Sequence, residues 1–338
     1  MFKAFFTIIA TFLILTSCCQ IKNHSNLSYS AQDEMINKWI KATISIENRT
    51  YIWDTSTFLD DAFRLLHKKQ ISFARYSQID DSIHKIYSSA TGSAIFLKYK
   101  SKRYLITATH VIRDSKSKEM KISPDIYIIP NEDNFNRSTP FNSKLNLMSP
   151  WNYVSYKDEN IDLAIISLDF NKEYTPFADS LQAAFGYQPI NINDVDTLGD
   201  FRYGQQIMAV GYPFFSDFDE QNKTTESSVN WVSKYLYQPV VTFGRISSIS
   251  KFRPYFFGDV NVMPGNSGGA IVSNDKLIGV VSKQERRSIE DTSGRSYRDA
   301  FYRISYTAII VRISYLMQML REDERRVAQW QPPGKSPK

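Results

Sequence analysis

The pentapeptide Gly265-Asn266-Ser267-Gly268-Gly269 sets a serine between glycines. A serine hydroxyl is a poor nucleophile near neutral pH, so it needs a base to take its proton, and imidazole suits that task. The chain has four histidines, and all of them precede this serine: His24, His67, His84 and His110. His110 directly follows an apolar segment, 104–109. We therefore expect nucleophilic catalysis, with Ser267 as the nucleophile and His110 as its base.

The order of these residues separates two protein folds. A serine between glycines also occurs at the strand-to-helix turn of α/β-hydrolases, but that fold supplies its histidine after the serine. Histidine, then acid, then serine is the chain order of the chymotrypsin-type triad. The acid must fix the tautomer of the imidazole and stabilise the imidazolium. Asp162, before the apolar segment 163–166, is our candidate, and its competitors are Asp125, Asp158 and Asp169.

The glycines around Ser267 have a geometric interpretation of their own. Glycine tolerates backbone conformations that turn successive N–H groups toward one point. The N–H groups of Gly265 and Ser267 would then form an oxyanion hole, which stabilises the charge that develops in acyl transfer. A glycine-rich turn without a catalytic role is the alternative.

Three parts of the chain resemble the trypsin-like peptidases of the bacterial HtrA-like type. They are the paired segments 92–96 and 105–111, the segment Asp162-Leu163-Ala164, and the pentapeptide at Ser267. The resemblance covers most of residues 90–320. It implies an all-β fold of two six-stranded antiparallel barrels with a C-terminal helix. It also implies a serine endopeptidase that acts on polypeptides through His110, Asp162 and Ser267. The chain departs from full HtrA proteins, because only 71 residues follow Ser267 and hold the last strands and helix, so we expect no PDZ domain there. We expect no cofactor or metal.

The same resemblance suggests two substrate-binding residues. Segment 279–282 resembles the strand that lines the primary specificity pocket, with Ser282 where the family hydrogen-bonds the triad acid. Asn261 lies six positions before the nucleophile, where trypsin carries the aspartate that selects Arg or Lys, and Asp259 is close by. Tryptic specificity is therefore not supported, and a neutral pocket would favour uncharged side chains.

The N-terminus predicts export and a lipid anchor. A cationic start is followed by an apolar run, 4–15, that is too short to span a bilayer and is typical of a signal peptide. Leu15-Thr16-Ser17-Cys18 resembles the lipobox of bacterial lipoproteins, which implies cleavage after residue 17 and acylation of Cys18. The protein would then sit in the cell envelope on the extracytoplasmic side. A soluble secreted protein is the alternative. Because Cys18 and Cys19 are the only cysteines, we expect no disulfide in the folded body.

Periodicity predicts the elements that must position the site. A polar tether, 18–37, would lead to a first barrel over 38–180, a second barrel and helix over 181–326, and a disordered tail over 327–338. Short segments rich in Ile, Val, Tyr and Phe predict strands at 40–46, 92–99, 103–109, 125–130, 162–168, 206–212, 239–249, 270–273, 277–283 and 300–306.

Two helical stripes stand out from this pattern. Leu59, Ala62, Phe63 and Leu66 recur at helical spacing within residues 50–88, which we interpret as an insertion outside the core. Ile313, Leu316, Met317 and Leu320 predict a terminal helix that packs against the last barrel.

Composition excludes several other classes of protein. The net charge of +6 comes from 41 basic and 35 acidic residues that are interspersed, so a solvated surface is favoured over a nucleic-acid patch. There is no H-E-x-x-H motif, and four separated histidines do not have the spacing of metal ligands. The rival from another class is a binding or scaffold protein that keeps the peptidase shape without its activity.

Overall fold

The computed structural model describes residues 29–51, 61–79 (except 63, 67, 73 and 77), 87–113, 125–129, 136, 144–147, 153–155, 161–169, 175–213, 238–287 and 303–329. The predicted signal peptide, Cys18 and Cys19 lie outside the described residues, as do Leu59 and Phe63. The chain divides into two units, Met1–Asn37 and Lys38–Lys338, and both sheets lie in the second. No helix of the described part is both long and apolar enough to cross a membrane.

The first sheet is a curled half-barrel. Seven of its strands follow the order β5-β4-β1-β2-β3-β7-β6, and β8 pairs with β2 in parallel. The strands are β1 Thr43–Tyr51, β2 Tyr87–Tyr99, β3 Lys102–Thr107, β4 Asp125–Ile129, β5 Lys144–Asn146, β6 Tyr153–Ser155, β7 Ala164–Ser167 and β8 Ile190–Asn191.

The prediction of a closed six-stranded first barrel was therefore wrong for the described residues. The strand path is open, with β5 and β6 at its ends, because those two strands do not pair with each other. Each of them is only three residues long. Such segments are too short to show the alternation on which a prediction from sequence depends.

The second sheet is a closed antiparallel barrel, which confirms the prediction for this half. Its six strands follow the order β10-β11-β14-β13-β12-β9. They are β9 Gln206–Gly211, β10 Val240–Ile249, β11 Tyr255–Asp259, β12 Ala270–Ser273, β13 Lys276–Arg287 and β14 Arg303–Arg312. Only β11 was not predicted, because its buried positions are Phe256 and a glycine, Gly258, which weakens the apolar signal.

Each sheet encloses its own apolar core. The first core includes Ala62, Leu66 and Tyr76, which are at most 3% exposed. Our interpretation of 50–88 as an insertion outside the core was therefore wrong for these residues. The predicted helical stripe is correct for Ala62 and Leu66, because both are helical and their buried side chains add to the core of the first sheet.

One helix precedes the first strand, and another connects β7 to β8. Helix α1 spans Tyr29–Ala42, so helical structure replaces the last part of the predicted tether, and β1 begins three residues later than predicted. Helix α2, Thr175–Ala183, was not predicted. It buries Phe177, Ala178 and Leu181 in the first core.

The terminal helix α3, Leu316–Gln329, follows a 3-10 turn and was predicted. However, it contacts β6 and β7 of the first sheet, and Tyr104 Oη of β3 donates a 2.9 Å hydrogen bond to Asp323 Oδ2. The prediction that the stripe packs on the last barrel was therefore wrong for the helix, whereas the 3-10 turn that holds Ile313 does contact β13 of that barrel. An apolar stripe shows that one face is covered, but it does not show which sheet covers it.

Candidate active site

His110 lies in a 3-10 turn, Thr109–Val111, directly after β3. The amide of Asn48 in β1 holds this turn, since Nδ2 donates to the carbonyls of Val111 at 3.1 Å and Arg113 at 2.7 Å. Gly92 in β2 leaves room for it, because a Cβ there would lie 2.4 Å from Val111 Cγ1. The first sheet therefore positions the imidazole through two neighbouring strands.

Asp162 precedes β7 and contacts His110 twice. Its Oδ2 lies 2.7 Å from His110 Nδ1, and its Oδ1 accepts the His110 backbone N–H at 2.9 Å. When Nδ1 carries the ring proton, it donates to the carboxylate and leaves Nε2 as the acceptor that a general base needs. Of the competing acids, Asp169 is engaged by Arg103, Asp125 lies in β4, and Asp158 is outside the described residues.

The surroundings of Asp162 favour its ionised form. Burial alone would raise the pKa of this carboxyl, but hydrogen bonds and charge from His110 and the Ser282 hydroxyl outweigh burial. The pKa of Asp162 is therefore lowered from its ordinary value of 3.8. A charged carboxylate at this place can stabilise an imidazolium on His110.

Ser267 and His110 line one cavity of about 600 Å³. The Ser267 hydroxyl donates to the carbonyl of Ser282 at 2.8 Å, and the Ser282 hydroxyl donates to Asp162 Oδ2 at 2.5 Å. Ser282 thus contacts both the acid and the candidate nucleophile.

The loop before Ser267 is a tight turn. The Asn266 N–H donates to the Met263 carbonyl at 3.0 Å, and Gly265 has a φ of +93°. Proline at the first central position and a positive φ at the second are the features of a type II turn. The Pro264-Gly265 dipeptide is a turn signal that the sequence analysis did not use.

This turn leaves two backbone donors unused. Among the described residues, the N–H groups of Gly265 and Ser267 donate no hydrogen bond, whereas the Asn266 N–H between them is bonded. Both Gly265 and Ser267 line the cavity. The two free donors are the ones that the sequence assigned to an oxyanion hole, and the cavity gives a developing negative charge access to this loop.

The two predicted substrate-binding residues do not form the cavity wall. The carbonyl of Asn261 accepts from Thr242 Oγ1 at 2.8 Å, and Ser282 is directed at Asp162. The other residues of the wall are Thr91, Val262, Met263, Pro264, Val281, Lys283 and Ile309. Of these, only Val281 lies in a segment, 279–282, that the sequence analysis assigned to the pocket. They come from the first sheet, from the second sheet and from the loop at 262–264, so no single local pattern could have grouped them.

A closed barrel and a curled half-barrel that contribute to one cavity define the chymotrypsin-like fold. The chain belongs to the trypsin-like peptidase domain family, whose family model matches residues 91–280. Among solved structures, an HtrA-type protease, AlgW with a decapeptide, is similar at a TM-score of 0.45 and 14% identity. That match covers 87% of this chain and 68% of the other. No curated protein gives a significant match.

Proposed function

We propose that this protein is a serine endopeptidase that hydrolyses peptide bonds through an acyl-enzyme. The observation that carries the proposal is a set of contacts: Asp162 contacts His110 and the Ser282 hydroxyl, and the Ser282 carbonyl accepts the Ser267 hydroxyl. These groups supply the orienting acid, the base and the nucleophile that acyl transfer needs. Membership of the trypsin-like peptidase domain family supports the same reaction class.

The proposed reaction begins with acylation of the serine. Ser267 Oγ attacks the scissile carbonyl carbon while its proton passes to Nε2 of His110. The carbonyl oxygen becomes an oxyanion, which the N–H groups of Gly265 and Ser267 stabilise. The C–N bond then breaks, His110 returns the proton to the departing amine, and an ester on Ser267 remains.

A water molecule completes the cycle by the same route. His110 takes a proton from water, the resulting oxygen attacks the ester carbonyl, and the second oxyanion occupies the same two N–H groups. Collapse breaks the ester bond and returns the proton to Ser267 Oγ, which releases the carboxylic acid product. In both halves Asp162 keeps the imidazole oriented and stabilises its charged form.

The cavity wall suggests which side chains are accepted near the scissile bond. Its apolar members are Val262, Met263, Pro264, Val281 and Ile309. Lys283 is the one lysine or arginine among the described lining residues, which include no carboxylate. We therefore propose that uncharged or acidic side chains are preferred and that basic ones are disfavoured.

We also propose that the enzyme is a lipoprotein of the cell envelope that acts on exported polypeptides. The support is the apolar run at 4–15 and the tetrapeptide that ends at Cys18. Several acyl chains would give stable anchoring, whereas one chain alone gives marginal binding. Mass spectrometry of the membrane-extracted protein tests this, with Cys18→Ala expected to abolish the lipid adduct and to release the protein from membranes.

Covalent labelling tests the enzymatic proposal most directly. A fluorophosphonate probe should label the wild type, and Ser267→Ala should abolish labelling and lower peptide turnover by about a million-fold. Ser248→Ala, an exposed serine of β10, is the matched control and should behave as the wild type. Unlabelled wild type would favour the rival class, a binding or scaffold protein with the peptidase shape.

A further inference from the structure

Ser93 of β2 is a fully buried serine that bridges the first sheet to the loop around Ser267. Its hydroxyl donates to the Gly265 carbonyl at 2.9 Å and accepts the Tyr212 backbone N–H at 2.9 Å. Its backbone N–H donates to the Ser267 carbonyl at 2.7 Å. One residue of the first half thus binds the carbonyls of the two residues whose N–H groups are free.

The remaining peptide groups of the loop are bonded as well. The Asn266 carbonyl accepts the Gly269 N–H at 2.8 Å, and the Gly268 N–H donates to the Val281 carbonyl at 2.7 Å. Between the N–H of Gly265 and the N–H of Gly268, every described backbone group is therefore bonded except the N–H groups of Gly265 and Ser267. Fixed peptide planes leave those two donors with fixed directions.

The fit at Ser93 allows little adjustment. A Cβ on Gly268 would lie 1.9 Å from the Ser93 carbonyl oxygen, so the loop approaches β2 as closely as only glycine permits. That carbonyl also accepts Thr107 Oγ1 at 2.7 Å, which ties Ser93 to β3. The first sheet thus holds Ser93 in place independently of its contacts with the loop.

We infer that Ser93 is a positioning residue that pre-orients the oxyanion hole from the opposite half of the fold. The inference rests on the proposed function, because it assigns the two free N–H groups to a developing oxyanion. Donors that are fixed before the reaction stabilise this charge without reorganisation, and their loss lowers turnover more than substrate binding. Ser93 itself touches neither the substrate nor the reacting atoms.

The variant Ser93→Ala removes the hydroxyl and leaves the Gly265 carbonyl and the Tyr212 N–H without that partner. We expect kcat to fall by about ten- to a hundred-fold with KM changed by less than about two-fold, since the effect is confined to the transition state. Ser167→Ala is the matched control. Ser167 is a fully buried strand serine of the first sheet whose Oγ has no hydrogen-bond partner in the described structure, so its loss should leave kcat unchanged.

A pair of inhibitors separates positioning from general damage to the fold. A peptide aldehyde adds the serine hydroxyl across its carbonyl and forms an oxyanion-like hemiacetal, whereas the matching peptide carboxamide binds without reaction. Ser93→Ala should weaken aldehyde binding by the same factor as kcat/KM and leave carboxamide binding unchanged. If Ser93→Ala does not fold, Ser93→Cys keeps a side chain of the same connectivity with a larger atom that hydrogen-bonds more weakly, and it should show a smaller loss, about five-fold, of the same kind.

The outcomes distinguish this inference from the proposed function. If the wild type binds the aldehyde no more tightly than the carboxamide, both are overturned. If the wild type discriminates between them and Ser93→Ala or Ser93→Cys discriminates equally well, only the role of Ser93 is overturned. An equal loss of both ligands in these variants would show a structural role and would also overturn it.

Discussion

The Ser282 hydroxyl in the second barrel donates a 2.5 Å hydrogen bond to Asp162 of the first half. This bond is one of the causes that lower the pKa of Asp162, so both halves of the fold determine the charge on the acid. Ser282→Ala should remove this donor and leave the Ser282 carbonyl in place. We expect kcat to fall by about ten-fold, the lower end for a hydrogen bond to a charged group. Steady-state kinetics measures this change, with Ser248→Ala as the control. An unchanged kcat in Ser282→Ala would contradict the prediction.

Asp162→Asn should lower kcat by about 10⁴-fold while the fold stays intact. The asparagine amide would donate to Nδ1 of His110, which places the ring proton on Nε2 and removes the base. The control is Asp169→Asn, another acid of the first half. Because Asp169 pairs with Arg103, that change should lower the melting temperature and leave kcat near the wild-type value. A large loss of kcat in Asp169→Asn, together with a near wild-type kcat in Asp162→Asn, would mean that the acid was wrongly assigned.

Lys283→Glu should invert a preference for charge near the scissile bond. For peptide pairs that differ only in Asp against Asn, the wild type should favour the acidic member by about two- to five-fold, the size expected of an exposed ion pair. Lys283→Gln should abolish the preference and Lys283→Glu should reverse it. Raising the salt concentration should weaken it in the wild type. A library profile that is the same in all three proteins would exclude Lys283 as a determinant of specificity.

Asp323→Asn should stabilise the protein near neutral pH. Burial raises the pKa of Asp323 above its ordinary value of 3.8, and Oδ1 is buried without a hydrogen-bond partner in the described structure. The native state then holds this proton more tightly than the unfolded state, so stability falls as pH rises from about 4 through the raised pKa. Asparagine is neutral throughout and still accepts the Tyr104 hydroxyl.

Thermal melts at pH 4 and pH 7 measure this effect. At pH 7 the Asp323→Asn variant should melt about 2–4 °C above the wild type for each kcal/mol gained, and the gap should narrow at pH 4. Glu322→Gln changes a more exposed acid of the same helix and should shift neither melt. A lower melting temperature for Asp323→Asn at pH 7 would show that the charged form is the stable one.

The residues to which we assign the chemistry could be singled out from the sequence, because each lies in or beside a recognisable segment. The structure brings Ser267 and His110 to one cavity and joins His110 to Asp162. Ser93 and Lys283 gave no such signal, since their roles depend on contacts with residues far away in the chain. A buried serine in a strand has the same local pattern whether or not its hydroxyl holds a loop of another barrel.

The fold was predictable where strands are long and alternate. The six-stranded second barrel followed from such segments, apart from β11 with its glycine. The short strands β5 and β6 gave no pattern, so the number of strands in the first sheet and its open path were missed. Which sheet covers α3 was also beyond the sequence, because tertiary packing decides between two available apolar faces.

Helix α3 reaches back to strands that were made long before it. The lipoprotein that we propose would cross the membrane with its N-terminus first, so the whole second barrel would arrive before residues 316–329 can cover β6 and β7. We expect a chain truncated before Leu316 to leave that side of the first sheet uncovered and to be bound by holdase chaperones. The last folding step would then wait for residue 329 to arrive.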